Sequence, residues 1–285
     1  MKTIVACTDF SPIADNAVQY AAALASEAKA RLVLFHHFNY PVPATDFPTA
    51  FPTIFVEEIE SDHERKLQAL KVELLKTHSI DIECIVRSWS LSSDLDEIFY
   101  EQEADLVVMG IHGQSALVNA LFGSVTSSAI RRGNLPLLVI PKGVEYRPVK
   151  KILFACDDAP IPSPYTLLPL KNLALAFDAY IEVFTLFDLE KTPELVPQSR
   201  MSPAKLKLNT LLEGTRHGYS YENEEVVDKG ILYEAERSAA DMVVMIPHHH
   251  SFLSTLLNQS ETQRVAASIH LPLLVLGEKV VEIEN

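Results

Sequence analysis

ADLVVMGIHGQSALVNALFGSVTSSAIRRGNLPLLV, residues 104–139, lies without a gap over ADMVVMIPHHHSFLSTLLNQSETQRVAASIHLPLLV, residues 240–275. Sixteen of the 36 aligned positions are identical, and they concentrate at the two ends, AD-VVM and LPLLV. The beginnings of the halves also correspond, with IVACTDFSP (4–12) beside ILFACDDAP (152–160). The chain is therefore one unit written twice. Between the copies runs KGVEYRPVK (142–150), charged and carrying Gly143 and Pro148, a composition that suits a connector. The expected division is a first domain over 1–143, a linker over 144–149 and a second domain over 150–280.

Within each copy, apolar runs of strand length alternate with stretches of helical period. Residues 3–8 are a short apolar run closed by Asp9-Phe10-Ser11-Pro12, a turn and helix-start signal, and 14–28 follow as an Ala-rich amphipathic helix. Residues 31–38 form a second strand. The prolines at 41, 43, 48 and 52 cannot lie inside a helix. Helical spacing returns over 57–78, where Ile59, Leu67, Leu70 and Leu74 share a face. A third strand over 80–86, a helix over 94–103, a strand over 105–109, a helix over 124–132 and a strand over 135–140 complete the unit. Runs such as LVVM and PLLVI, with no polar alternation, suit strands covered on both faces. The expected fold is α/β: two tandem, doubly wound, Rossmann-like parallel sheets of five strands each. The final strands, LPLLVI and LPLLVL, are expected to pair edge to edge, which removes two open edges and makes the chain an intramolecular pseudo-dimer compatible with a further homodimer.

Composition narrows the function. The chain has 285 residues, 48% of them hydrophobic, and a formal net charge of -14. Two cores of ordinary size follow. The overall field argues against nucleic acid and anionic membranes as partners, while a small anion answers to local donors. No apolar run approaches the ~20 residues of a membrane span, and MKTIVACTDF is too short for a signal-peptide core, so a cytoplasmic protein is expected. Cys7, Cys84 and Cys156 lie within apolar or alternating segments, as buried structural thiols would.

Three of the nine glycines, Gly110, Gly113 and Gly123, fall in one short segment that leaves the fourth strand. A strand tip without side chains leaves room for a ligand. Gly123-Ser124 then opens a helix whose first-turn N–H groups and partial positive charge suit a phosphate. The spacing is neither G-x-x-x-x-G-K-[ST] nor G-x-G-x-x-G. Gly113-Gln114-Ser115 lacks the closing glycine of a nucleophile elbow. Arg131 and Arg132 stand at the far end of that helix, where they complement its dipole.

Gly110-x2-Gly113-x9-Gly123-Ser124, followed by Val125-Thr126 and preceded by VVMG, resembles the G-x2-G-x9-G-[ST] motif of ATP-binding members of the universal stress protein family. The resemblance covers both halves. It implies ATP or AMP as ligand, with or without Mg²⁺, held by Thr8, Asp9, His37, Met109, Gly110, His112, Gly113, Gly123, Ser124 and Val125. Asp9 would face ribose or base, and it reads equally as a helix cap. His37 would offer backbone groups to adenine. His112, between the glycines, stands as a phosphate neighbour or a solvated side chain. Trp89, the one tryptophan, stands as packing or as a stacking partner.

The second copy replaces Gly110 by Ile246, Gly113 by His249 and Gly123 by Gln259, and Pro247 removes a donor. It is expected to keep the fold without binding nucleotide. His248-His249-His250 is too short a run to complete a metal site alone, and Asp157-Asp158 reads as a cap and turn. No lysine in the loop, no poised general base and no carboxylate pair beside the glycines points to chemistry. A nucleotide-binding regulatory protein is thus expected, with a slow ATPase or an interaction module that binds no nucleotide as the alternatives.

Overall fold

Alternation across a covered sheet sends neighbouring residues of a strand to opposite layers, and TIVACT obeys it. Ile4 and Ala6 join one buried cluster and Val5 and Cys7 the other. The computed structural model describes residues 1–38, 53–88, 91–111, 126, 129–130, 132–156, 161, 163–187, 203–223, 227–246 and 269–277. The first repeat holds β1 (Thr3–Thr8), α1 (Pro12–Ala28), β2 (Arg31–His37), α2 (Thr53–Leu74), β3 (Ile82–Arg87), α3 (Leu91–Glu101), β4 (Leu106–Ile111) and β5 (Leu137–Pro141). The second holds β6 (Lys151–Ala155), a 3₁₀ turn (Pro164–Leu167) leading into α4 (Leu168–Phe177), β7 (Tyr180–Phe187), α5 (Pro203–Leu211), β8 (Arg216–Asn223), α6 (Val227–Arg237), β9 (Met242–Met245) and β10 (Leu273–Val275). The helix α2 begins at Thr53, directly after Pro52, four residues earlier than its apolar spacing predicts.

Each repeat orders its parallel strands 3-2-1-4-5, and the two sheets merge into one of ten strands, β3-β2-β1-β4-β5-β10-β9-β6-β7-β8. The join is the expected one. The strands β5 and β10 run antiparallel, with Val139 opposite Leu273, Leu138 opposite Leu274 and Leu137 opposite Val275. All six of these side chains are buried. Gly277, just past β10, lies so close to Asn134 and Leu135 that a Cβ would stand 2.8 Å from the Asn134 carbonyl carbon. One apolar layer, under α1, α2, α4 and α5, runs through both repeats, and α3 and α6 cover the opposite face.

The connector is seated rather than loose. Tyr146 packs edge-on against Tyr20 of α1 at 5.2 Å and donates its hydroxyl to Glu27 Oε2 at 2.6 Å. Asn16 Nδ2 donates to the carbonyl of Val144 at 3.1 Å.

The conserved look of the two copies has a mechanical cause at the AD of AD-VVM. Asp105 Oδ2 accepts the backbone N–H groups of Lys2 and Thr3, where β1 begins. Asp241 Oδ2 accepts those of Lys150 and Lys151 at 2.8 Å each, where β6 begins. One carboxylate thus closes two main-chain donors that no strand partner reaches. The LP of LPLLV has a similar duty: the carbonyls of Pro136 and Pro272 accept from Val107 and Val243 at 3.0 Å. Replacing Asp241 by Ala is expected to cost about 1–3 kcal/mol, the usual range for hydrogen bonds to a charged acceptor. Urea denaturation of the full chain measures it, and Asp105→Ala should behave alike.

Candidate functional site at the β1–β4 switch

Strand order reverses between β1 and β4, because the chain leaves β1 towards β2 and returns on the other side at β4. Such a crevice at the carboxyl ends of the strands is where open α/β sheets bind ligands. The register Ala6 opposite Val108 brings Thr8 level with Gly110 at this edge. Two sequence-predicted site residues from different elements therefore meet here.

The turn out of β1 is tightly tied. Phe10 N–H donates to Thr8 Oγ1 at 3.0 Å, and Ser11 N–H donates to Asp9 Oδ1 at 2.9 Å. Ser11 is the N-cap of α1, its Oγ accepting from Ala14 N–H at 3.2 Å, with Pro12 at the first helical position. The helix-cap reading of Asp9 is thereby corrected: Ser11 caps α1, and Asp9 supports the turn that precedes it. One oxygen supports the turn, while the carboxylate as a whole is exposed at the crevice. Phe10 has φ of 61°, a left-handed conformation uncommon for a residue with a Cβ.

The missing side chain of Gly110 has a packing reason as well. A Cβ there would stand 2.7 Å from the carbonyl oxygen of Ile13 and 2.8 Å from its Cγ2. The glycine lets the first turn of α1 lie directly on the tip of β4. On its other side, Thr126 Oγ1 donates to the Gly110 carbonyl at 3.2 Å. Thr126 is buried and helical, so this helical residue is tied back to the tip of β4. Sequence reasoning passed over Thr126; its identity with Thr262 in the aligned copy is the signal that could have found it. His112, Gly113, Gly123, Ser124 and Val125 lie outside the described residues, as do Trp89, the proline-rich stretch 41–52, Asp157-Asp158, Pro247, His248-His249-His250 and Gln259.

Met109 is buried in the layer beneath α3. His37 ends β2 on that same side, while His36, its neighbour, points the other way and is buried at the crevice wall. His36 Nδ1 lies 2.7 Å from the Thr8 carbonyl oxygen, and its Nε2 lies 2.9 Å from Nδ1 of His63 on α2. Burial holds His36 below the ordinary imidazole value, against the opposing pull of the Thr8 carbonyl, and burial lowers His63 as well. The sequence singled out His37 and missed this pair, which strand alternation at 36 and 37 could have suggested.

Arg132, expected to complement the helix dipole, has a specific partner across the layer. Its guanidinium forks onto Asp96 of α3 at 3.2 and 3.4 Å, and Asn134 Nδ2 joins the same carboxylate at 2.8 Å. Cys7 is buried, its thiol pushed up to about 12 by desolvation, whereas Cys84 and Cys156 are half-buried and all three are free of disulfides. Among the described residues no group of three or more His, Cys, Asp or Glu could hold a metal ion, and no helix is long and apolar enough to cross a membrane.

The model of the universal stress protein family matches the chain twice, over residues 1–141 and 148–277. The chain belongs to the universal stress protein family. Universal stress protein Rv2005c of Mycobacterium tuberculosis (strain H37Rv) is 27% identical to it over 95% of this chain and 96% of its own length. Universal stress protein Slr1230 of Synechocystis is 23% identical over 96% and 99%. A crystal structure of a universal stress protein from Archaeoglobus fulgidus shares the fold with a TM-score of 0.70, at 15% identity, over 97% of this chain and 98% of that one. Tandem architecture thus recurs along the whole length of these relatives.

Within this universal stress protein the second crevice is built differently. The register Ala155 opposite Met245 brings Cys156 level with Ile246. These residues stand where Thr8 and Gly110 stand in the first repeat. Ile246 is buried and shares a cluster with Ile161. A side chain at this position is compatible with the fold because helix formation begins later: Ser163 replaces Ser11 as the cap, and the 3₁₀ turn starts at Pro164. By the alignment of the two starts, Pro160 is the counterpart of Pro12. The retreat of the helix and the gain of a side chain are one coupled change.

Two outcomes follow from this geometry. Gly110→Ala should destabilise the chain by about 1–3 kcal/mol, the cost of overpacking a filled contact, readable as a shift in urea midpoint. Because His36 and His63 bind protons less readily folded than unfolded, the stability they leave intact above pH 6.5 declines as pH falls below that ordinary value. The thermal midpoint between pH 7.5 and 5.5 should fall less steeply in the His36→Phe/His63→Phe double variant.

Proposed function

We propose that this universal stress protein is a regulatory adenine-nucleotide binder of the cytoplasm: ATP or AMP, with or without Mg²⁺, occupies the first repeat, and the second repeat is silent. The observation that carries the proposal is the Thr126–Gly110 hydrogen bond. It ties the helical Thr126, behind Gly123-Ser124, to β4 at the switch point, so free N–H groups at the expected helix start would face the same crevice as Asp9. Thr8 and Asp9 supply the ribose and base side, and His37, Met109 and Gly110 contribute strand-end backbone. Gly113, Gly123, Ser124, Val125 and His112 supply the phosphate side, as the family motif implies. In the second repeat the buried Ile246 stands for Gly110, and His249 and Gln259 stand for Gly113 and Gly123; this loss of the motif supports a single site per chain.

The protein performs no committed reaction in this account; occupancy is the signal, and the two halves, 1–143 and 150–280 about the 144–149 linker, form the pseudo-dimer that displays it. Acid extraction of the purified protein followed by mass spectrometry should release adenine nucleotide. Calorimetric titration with ATP should give one site per chain. Gly123→Val should weaken binding at least about tenfold, roughly 1.4 kcal/mol, with circular dichroism unchanged. Gln259→Gly should leave the stoichiometry at one. A protein that carries no nucleotide and takes up none in titration overturns the proposal.

A further inference from the structure

His36 and His63 come from different elements, 27 residues apart, and meet at the wall of the first crevice. Their proton positions follow from their partners. A carbonyl oxygen only accepts, so the 2.7 Å contact to Thr8 fixes the proton of His36 on Nδ1. The Nε2 of a neutral His36 then carries a lone pair, and His63 must donate to it from Nδ1 across 2.9 Å. A directed chain results, from α2 through β2 to the last residue of β1. Aromatic packing holds it in place. The ring of Phe10 lies 4.4 Å from that of His36, and His63 stacks on His36 at 4.7 Å and on Phe38 at 4.4 Å. Thr8 accepts at both its oxygens, from His36 at the carbonyl and from Phe10 at Oγ1. The left-handed Phe10, which its own φ disfavours, is therefore clamped between the Thr8 hydroxyl and the His36 ring.

We propose that His63, although it belongs to α2, is a positioning residue of the nucleotide site: through His36 it fixes the Thr8–Asp9–Phe10 turn in the shape that presents the Asp9 carboxylate to the crevice. This rests on the nucleotide reading above. The arrangement also decides where protons go. A proton arriving at the dyad enters at Nε2 of His63, which leaves every hydrogen bond intact. Only while Nδ1 of His63 keeps its own proton would a second proton on Nε2 of His36 set N–H against N–H. Among the described residues, the titratable and charged groups acting on the pair are Asp9 in the turn, His37 on β2, and Asp62 and Lys66 on α2. With His63 in place the lone pair of His36 Nε2 is taken up by a donor, and burial holds the imidazole below its ordinary value. Without that donor, Nε2 of His36 is open to protonation.

The test uses the full chain. His63→Phe keeps an aromatic ring against Phe38 and His36 and removes the donor, while His63→Gln restores a donor as an amide N–H. ATP affinity is measured by calorimetry at pH 7.5 and 5.5, and histidine ring nitrogens are followed by NMR over the same range in nucleotide-free protein. Wild type should bind ATP and show His36 as the neutral Nδ1–H form throughout. His63→Phe should bind about tenfold more weakly at pH 7.5 and weaken further relative to wild type at pH 5.5, with His36 now titrating. His63→Gln should stay within about threefold of wild type, with His36 locked again. If wild type binds ATP and His63→Phe matches it at both pH values, the positioning role is wrong while the site stands. If wild type itself binds no ATP, the site reading fails and the positioning role with it.

Discussion

The pairing of LPLLV with its own copy is the contact on which the architecture depends. Each repeat alone would end in an apolar edge strand with open main-chain groups. Set antiparallel, with Leu138 facing Leu274 across a shared buried layer, β5 and β10 close both edges at once. The ten-stranded sheet and the apolar layer that runs without interruption under α1, α2, α4 and α5 follow from it. So does the retention of AD and LP in both copies. Asp105, Asp241, Pro136 and Pro272 close main-chain donors in both copies alike.

That divergence is local. In the first repeat the carbonyl of Ile13 rests against the bare tip of β4. In the second, a side chain stands at the tip and the covering helix starts later. Loss of the glycine motif is therefore matched by a rebuilt first helical turn, and one repeat cannot be converted into the other by restoring a single residue. The fold tolerates both versions because the sheet, the paired edges and the aspartate clamps lie at the opposite end of the strands or at their junction.

Most of the architecture was legible in the residues. Periodicity gave the strands and helices within a few positions, the duplication gave the repeats, and the edge-to-edge join was expected from the two LPLLV runs. What escaped had a common cause. Gly110 was read for the room it leaves a ligand, and its packing partner Ile13 becomes visible only when α1 is folded back on β4. Arg132 looked like a helix-dipole partner, but Asp96 lies across the layer on α3. His36 was overlooked beside His37 because its partner, His63, sits on another element with a proline-rich stretch between them. Local spacing reports which face a residue occupies; it does not report who waits on that face. Thr8 and Gly110 could be placed at neighbouring strand tips because alternating strands and helices imply a doubly wound sheet with a switch point.

The seated connector has a consequence for how such a molecule can communicate. Two separate subunits joined by the same edge would part on dilution, and a ligand could report its arrival by tipping that equilibrium. Here residues 142–150 hold the halves at a fixed, concentration-independent proximity, with Tyr146 latched onto α1. Dissociation of the halves is thus removed from the repertoire, which leaves changes of shape or surface within one continuous body.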